Sequence, residues 1–331
     1  MFSNDELKRD YREDLTLFET RTGQRVAIAF AAALALYAQL FAGDFAVYLL
    51  MNVALFVIAA VGLNLLVGFT GLISLGHAAF LAIGAYTHVI LYTRGAPLLL
   101  TLAAGALTAG AFGMLLGIPA LRLKGPYLAI ATLGFQVTVD QVLGRWDAVT
   151  GGRMGLGVPY PEIAGVSLAE PRVYALVCLA FAIATLIAAK NLVRSRIGRA
   201  FAAIRDNETA AEAVGVNLVR YKVMAFALSA AFTGVAGGLY AHLVDRINPS
   251  TFNLLMSIEL LVMILVGGLG SILGSVLGAA LLVLLPHAFA SFRDHQTMLV
   301  GTMLVAVLLF EPMGLRGRWL RIKYYFKAWP F

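Results

Sequence analysis

The chain has 331 residues, of which 60% are hydrophobic and only 13% charged, whereas a soluble domain has about 45–50% apolar and about 25% charged residues; this is the composition of a polytopic membrane protein. The formal charge is +7, but the basic residues sit at the ends of apolar runs and are not interleaved with aromatics in a polar domain, so the charge reports topology and not nucleic-acid binding. The single cysteine, Cys178, lies inside an apolar run, which excludes a disulfide framework and reads as an inert thiol among lipid-facing residues.

The first 25 residues, MFSNDELKRDYREDLTLFETRTGQR, mix acids and bases before any apolar stretch. They lack the short basic start of a signal peptide and are expected to remain as a soluble tail over 1–25. Apolar runs of bilayer length, roughly 17–25 residues, then fall at Val26–Ala42, Phe45–Phe69, Leu72–Tyr92, Pro97–Leu121, Pro126–Leu143, Val173–Ala189 and Val223–Val244. Leu254–Leu285 is too long for one span and carries Gly267, Gly268, Gly270 and Gly274 near its middle, so it is expected to break at GGLGS into two short spans. Thr297–Phe310 is the last run.

Ten spans put both termini on one side. That side collects 19 of the 25 Lys and Arg: five in the tail, Arg122 and Lys124, seven from Lys190 to Lys222, and five from Arg316 to Lys327. The positive-inside rule then makes both termini cytoplasmic. The expected layout is the tail 1–25, a transmembrane region 26–311 with a cytoplasmic segment 190–222, and a basic tail 312–331. Gly144–Arg172 is the largest loop on the other side, and its TGGRMGLGVPYPEIAG reads as ordered turns. Five spans precede it and five follow, which would make two inverted halves.

Small residues recur at helical spacing, at Gly270, Gly274 and Gly278, at Gly113 and Gly117, and at Gly234 and Gly238. Lacking a Cβ, they let helices approach closely in lipid. Polar residues within spans are costly and more telling: Asn52, Asn64, Ser74, His77, His88, Asp140 and Glu259. The glycine-rich stretch Gly62–Tyr86 can bend, expose backbone groups and line a polar cavity through Asn64, Ser74 and His77. Alternatively, these residues only tie helices together by hydrogen bonds. Asp140 and Glu259 lie near the outer interface. There is no phosphate-binding loop, no nucleophile elbow, no metal-binding helix motif and no paired carboxylates. The chain is not expected to be an enzyme, to hold a metal or to bind a cofactor.

The stretch Arg194–Lys222, RSRIGRAFAAIRDNETAAEAVGVNLVRYK, stands apart from the apolar background. Asp206 or Asn207 can cap a helix start, Glu208 suits its first turn, and Gly215 can supply the left-handed stop. The expected helix of about two turns is marginal in water on its own, so it either docks on something or is an ordinary polar loop.

Four stretches carry a family resemblance: GLNLLVGFTGLISLGHAAFLAIGAY at Gly62–Tyr86, LRLKGPYLAIATLGF at Leu121–Phe135, RAFAAIRDNETAAEAVGVN at Arg199–Asn217 and VGGLGSILGSVLGA at Val266–Ala279. In this order they resemble the permease subunits of ABC importers for branched-chain amino acids. The likeness is to the LivM type more than its LivH-type partner, and it covers most of Phe45–Leu285. It implies a bacterial inner-membrane complex with a second LivH-like permease, two cytoplasmic ATP-binding subunits holding ATP and Mg, and a periplasmic substrate-binding protein. It also implies a coupling helix, marked EAAxxxG in such importers, that docks on the ATPase. Here Gly215 matches the glycine and Ala210 and Ala211 the alanine pair; Thr209 stands where the glutamate would be, Glu208 is one place earlier, and the downstream proline is absent. Arg205, Asp206, Glu208 and Glu212 are the expected polar docking contacts. Urea, short amides or other amino acids are alternative cargoes, and a stand-alone ion-coupled carrier or channel is the rival mechanism.

Overall fold

Helix α1 (Asp44–Thr70) opens a computed structural model that describes residues 43–288 apart from 122, 124, 164 and 165, together with 36, 39, 301 and 314. The expected tails, 1–25 and 312–331, and the expected spans Val26–Ala42 and Thr297–Phe310 lie outside the described residues. With 27 residues, α1 is roughly 40 Å long. It ends where Gly71 takes φ 76°, and the Gly71 and Leu72 amides return to the Val67 and Leu66 carbonyls, each at 3.1 Å. That reversal needs a left-handed residue, which glycine adopts without steric cost.

The next helix, α2 (His77–Tyr92), starts later than the apolar run from Leu72 predicts. Residues 71–76 are not helical because other groups take their amides: Leu75 donates to Thr132 Oγ1 at 2.9 Å and Gly76 to Ser74 Oγ at 3.4 Å. Hydropathy cannot tell such a segment from a helical turn. Next come α3 (Leu98–Ala120), α4 (Pro126–Arg145) and the short α5 (Asp147–Thr150). The loop 144–172 is ordered by two small antiparallel ladders. β1 (Leu156–Gly157) pairs with β4 (Arg246–Ile247), and β2 (Glu162–Ile163) with β3 (Val166–Ser167).

Helix α6 (Pro171–Arg194) leads into α7 (Arg196–Asp206) and α8 (Glu208–Ala213), and α9 (Leu218–Leu243) returns through the bundle. The long apolar run breaks where expected, into α10 (Leu254–Gly267) and α11 (Ile272–Ala288), with Gly268 at φ 122° and Gly270 at φ 69° in the turn. By length and composition, Asp44–Thr70, Leu98–Pro119, Pro171–Arg194, Leu218–Leu243 and Pro249–Gly267 can each cross a membrane, and His77–Tyr92 and Ile272–His287 are shorter apolar helices. The architecture among the described residues is an all-α, multi-pass membrane protein.

Helix α9 lies at the centre, packed on α1, α2 and α3. The crossing is close: a Cβ on Gly84 would stand 2.3 Å from the Gly234 carbonyl, and one on Gly105 would stand 2.8 Å from that of Gly84. Such contacts hold helices together where lipid removes the hydrophobic drive between them. Cys178 is fully buried in this core, so it is not lipid-facing as its apolar run suggested. A second cluster, Leu66, Leu72, Leu128, Phe201, Ala225 and Phe226, sits under α7.

Candidate functional site

Helix α7 is amphipathic, and the sequence reading missed it. Ser195 caps it by accepting from the Ile197 amide at 3.1 Å. Gly198, Ala200, Phe201 and Ile204 are buried, whereas Arg196 and Arg199 face outward. The expected helix starts only at Asp206 or Asn207, so Arg196–Asp206 carries no expected helix of its own. The 3.6-residue spacing of its apolar positions was the signal available.

Helix α8 forms as its caps predict. Asn207 Oδ1 accepts from the Ala210 amide at 3.0 Å, and Gly215 takes φ 87° just beyond the helix. Asp206 ends α7 and is not the cap. Asp206, Thr209, Ala210, Glu212 and Gly215 are exposed, Val214 is 78% exposed, and Ala211 turns inward at 3%. A cleft of about 320 Å³ lined by Arg196, Arg199, Val214, Gly215, Val216 and Tyr221 lies beside it. Two of the expected surface contacts point elsewhere. Arg205 donates to the Gly68 carbonyl of α1, and Glu208 Oε1 lies 2.6 Å from the ammonium of Lys222, which is only 2% exposed.

Asn64, Ser74 and His77 are all buried, but they belong to two networks. Asn64 Nδ2 donates to the Ser271 carbonyl at 2.9 Å and to Ser275 Oγ at 2.7 Å, and its Oδ1 accepts from the Gly270 amide at 3.0 Å. It stitches α1 to the α10–α11 turn. Ser74 and His77 do meet, at 3.0 Å between Oγ and Nδ1, and His77 Nε2 lies 2.7 Å from Ser229 Oγ. Since Ser229 gives its own proton to the Gly62 carbonyl at 2.6 Å, His77 must donate from Nε2 and accept at Nδ1.

Further residues join the polar layer. The Ala78 amide donates to Ser257 Oγ, which donates to Gln136 Oε1, while Gln136 Nε2 donates to the Phe252 carbonyl. Nearer the 144–172 loop, His88 Nε2 meets His242 Nε2 at 2.8 Å, and His242 Nδ1 meets the Pro159 carbonyl at 3.0 Å. Asp140 is paired with Arg153 at 3.2 Å. Among the described residues, no three His, Cys, Asp or Glu side chains stand close enough to share a metal ion.

Comparison with known proteins matches residues 45–308 to the family described as branched-chain amino acid transport system, permease component. The chain is 34% identical over 286 residues to the high-affinity branched-chain amino acid transport system permease protein LivM of Salmonella typhimurium, covering 79% of this chain and 67% of that one. It is 26% identical over 283 residues to the corresponding permease protein BraD of Pseudomonas aeruginosa, covering 80% and 92%. It is also 33% identical over 162 residues to the autoinducer 2 import system permease protein LsrC of an Enterobacter species, covering 48% and 44%. No solved structure matches the chain.

Proposed function

Because the chain belongs to the family of branched-chain amino acid transport permease components, we propose that it is the membrane-spanning permease subunit of an ABC importer for branched-chain amino acids. The observation that carries the mechanism is α8: a capped six-residue helix with an exposed face and a left-handed glycine stop, joined to the bundle through α7. Alone it is too short to persist in water, and docking on an ATP-binding partner offsets that cost. Arg205, Asp206, Glu208, Ala210, Ala211, Glu212 and Gly215 belong to this coupling element, with the cleft beside Val214 open to a side chain of the partner. ATP drives the cycle by favouring one conformation through differential contacts.

In this reading the complex comprises a second LivH-like permease, two cytoplasmic ATP-binding subunits that hold ATP and Mg, and a periplasmic substrate-binding protein. This chain supplies ten spans in two inverted five-helix halves within the bacterial inner membrane, with 1–25, 190–222 and 312–331 in the cytoplasm. The substrate path runs past Ser74, His77 and Asn64. Their polar atoms are engaged by protein partners, so the path opens in a conformation that releases them. An aliphatic side chain suits the surrounding Leu, Ile, Phe and Ala. The partial likeness to a permease named for autoinducer 2 keeps a different cargo as the second reading.

The test is co-purification of the tagged chain from its native membrane, followed by ATPase assay with candidate binding proteins and cargoes. A second permease and ATP-binding subunits are expected, with activity raised by a leucine-loaded binding protein. Stimulation only by another cargo changes the substrate and keeps the mechanism. A chain that purifies alone and transports in liposomes without ATP is a carrier, and the importer reading falls.

A further inference from the structure

We propose that Arg205 and Glu208 act inward, as positioning residues that brace α8 against the membrane bundle, and that the ATP-binding partner is contacted by the rest of the helix surface. The inference rests on the importer reading and assigns a route for the force within it.

Helix α1 stops at Thr70, and the Gly71 and Leu72 amides go to Val67 and Leu66. The Gly68 carbonyl is then one of the last acceptors of the helix, a group that needs a partner from outside the helix. Arg205 supplies it, and a guanidinium at a helix C-terminus also meets the negative end of the dipole. The same guanidinium lies against the α10–α11 turn, since a Cβ on Gly270 would stand 2.5 Å from Arg205 Nη1. The turn is in turn locked to α1 by the Gly270 amide on Asn64 Oδ1 and by Asn64 Nδ2 on Ser271 and Ser275. One side chain in the last turn of α7 therefore touches a junction of three membrane helices, α1, α10 and α11.

The second brace is Lys222. It is in the early turns of α9, 2% exposed, and its ammonium lies 2.6 Å from Glu208 in the first turn of α8. An almost fully buried ammonium is tolerated only with such a partner. The N-terminal end of α8 is thus pinned on both sides, by Arg205 just before its cap and by Glu208 just after. Thr209, Ala210, Glu212 and Val214 are left outward. A push on that outward surface reaches α1, α10 and α11 through Arg205, and the central α9 through Lys222.

The test uses the whole importer reconstituted in liposomes and reads substrate moved per ATP hydrolysed. Arg205→Met is expected to keep its ATP-binding subunits on co-purification and to lose at least tenfold in transport per ATP. Arg205→Lys, whose ammonium can still meet one carbonyl, is expected to recover at least a third of the loss; a purely architectural role would not separate transport from hydrolysis in this way. Lys222→Met, which leaves the surface of α8 untouched, is expected to uncouple likewise. Glu212→Arg and Val214→Glu are expected to lose the ATP-binding subunits. The proposal is overturned if Arg205→Met and Lys222→Met shed those subunits as Glu212→Arg does, or if their transport per ATP is unchanged. A wild-type chain that purifies without ATP-binding subunits overturns the importer reading itself, and this inference with it.

Discussion

His88 Nε2–H donates a hydrogen bond to His242 Nε2 across 2.8 Å, and the direction is fixed from the far side: His242 Nδ1 faces the Pro159 carbonyl at 3.0 Å and must donate there. This hydrogen-bond chain ties α2 and α9 to the 144–172 loop. His242→Leu breaks both links and leaves the loop held by its two-residue ladders, by Tyr92 on Tyr160 and Glu162, by Arg246 on Met154 and by Arg153 on Asp140. Hydrogen exchange in 156–168 is expected to rise about tenfold, the equivalent of one lost bond of roughly 1.4 kcal/mol. Unchanged exchange would show that the ladders and the Tyr92, Arg246 and Arg153 contacts hold the loop without His242.

The Lys222–Glu208 pair has unequal exposure, 2% against 25% for the side chains, so its two deletions are not equivalent. Glu208→Ala strands a buried ammonium and is expected to cost about 3 kcal/mol. Lys222→Met leaves a carboxylate that water can reach and costs less than half as much. Thermal midpoints measured in one detergent give the order, and a reversed order would refute the burial argument.

Asn64 uses both amide protons and its oxygen on the α10–α11 turn. Asn64→Leu leaves the Gly270 amide without its acceptor, a loss of about 1–3 kcal/mol. Asn64→Asp keeps that acceptor but sets a carboxylate against the Ser271 carbonyl in a buried site, and is expected to be the worse of the two. Monodispersity after a heating series separates them.

Helix crossings give a matched pair. At Gly84 a Cβ would meet the Gly234 carbonyl at 2.3 Å, while at Gly134 nothing lies within 4 Å. Gly84→Ala is expected to lose about 1–3 kcal/mol by forcing α2 from α9. Gly134→Ala is expected to be neutral or to gain about 0.5–1 kcal/mol by relieving chain entropy. The same melting series reads both.

What was legible in the sequence is what neighbouring residues decide. Asn207 and Gly215 bracket α8 by chemistry acting over a few residues, and Gly268 and Gly270 break the long apolar run for the same reason. The start of α2 was misplaced because its helix is delayed by Thr132, a residue 57 positions away from Leu75 in the chain. Arg205 and Glu208 looked like surface charges because Gly68 and Lys222, the groups they meet, are brought to them only by folding. Ser229, Ser257 and Gln136 carry no local pattern; hydroxyls and an amide in apolar helices become a network only once their partners cross. The apolar face of α7 was visible in principle in the spacing of Gly198, Phe201 and Ile204.

The central place of α9 has a consequence for how the protein is made. The ribosome releases α1, α2 and α3 roughly 100 residues before α9 begins at Leu218. Until then the Gly62 carbonyl and His77 Nε2 lack Ser229, and the glycine face of Gly84 lacks Gly234. The early helices, α2 and α3 already in contact at Gly84 and Gly105, therefore complete their packing only when this one late helix arrives. Truncation just before Leu218 is expected to leave these helices without Ser229 and Gly234 and open to membrane proteases, whereas truncation after Leu243 is expected to restore both partners and raise protease resistance.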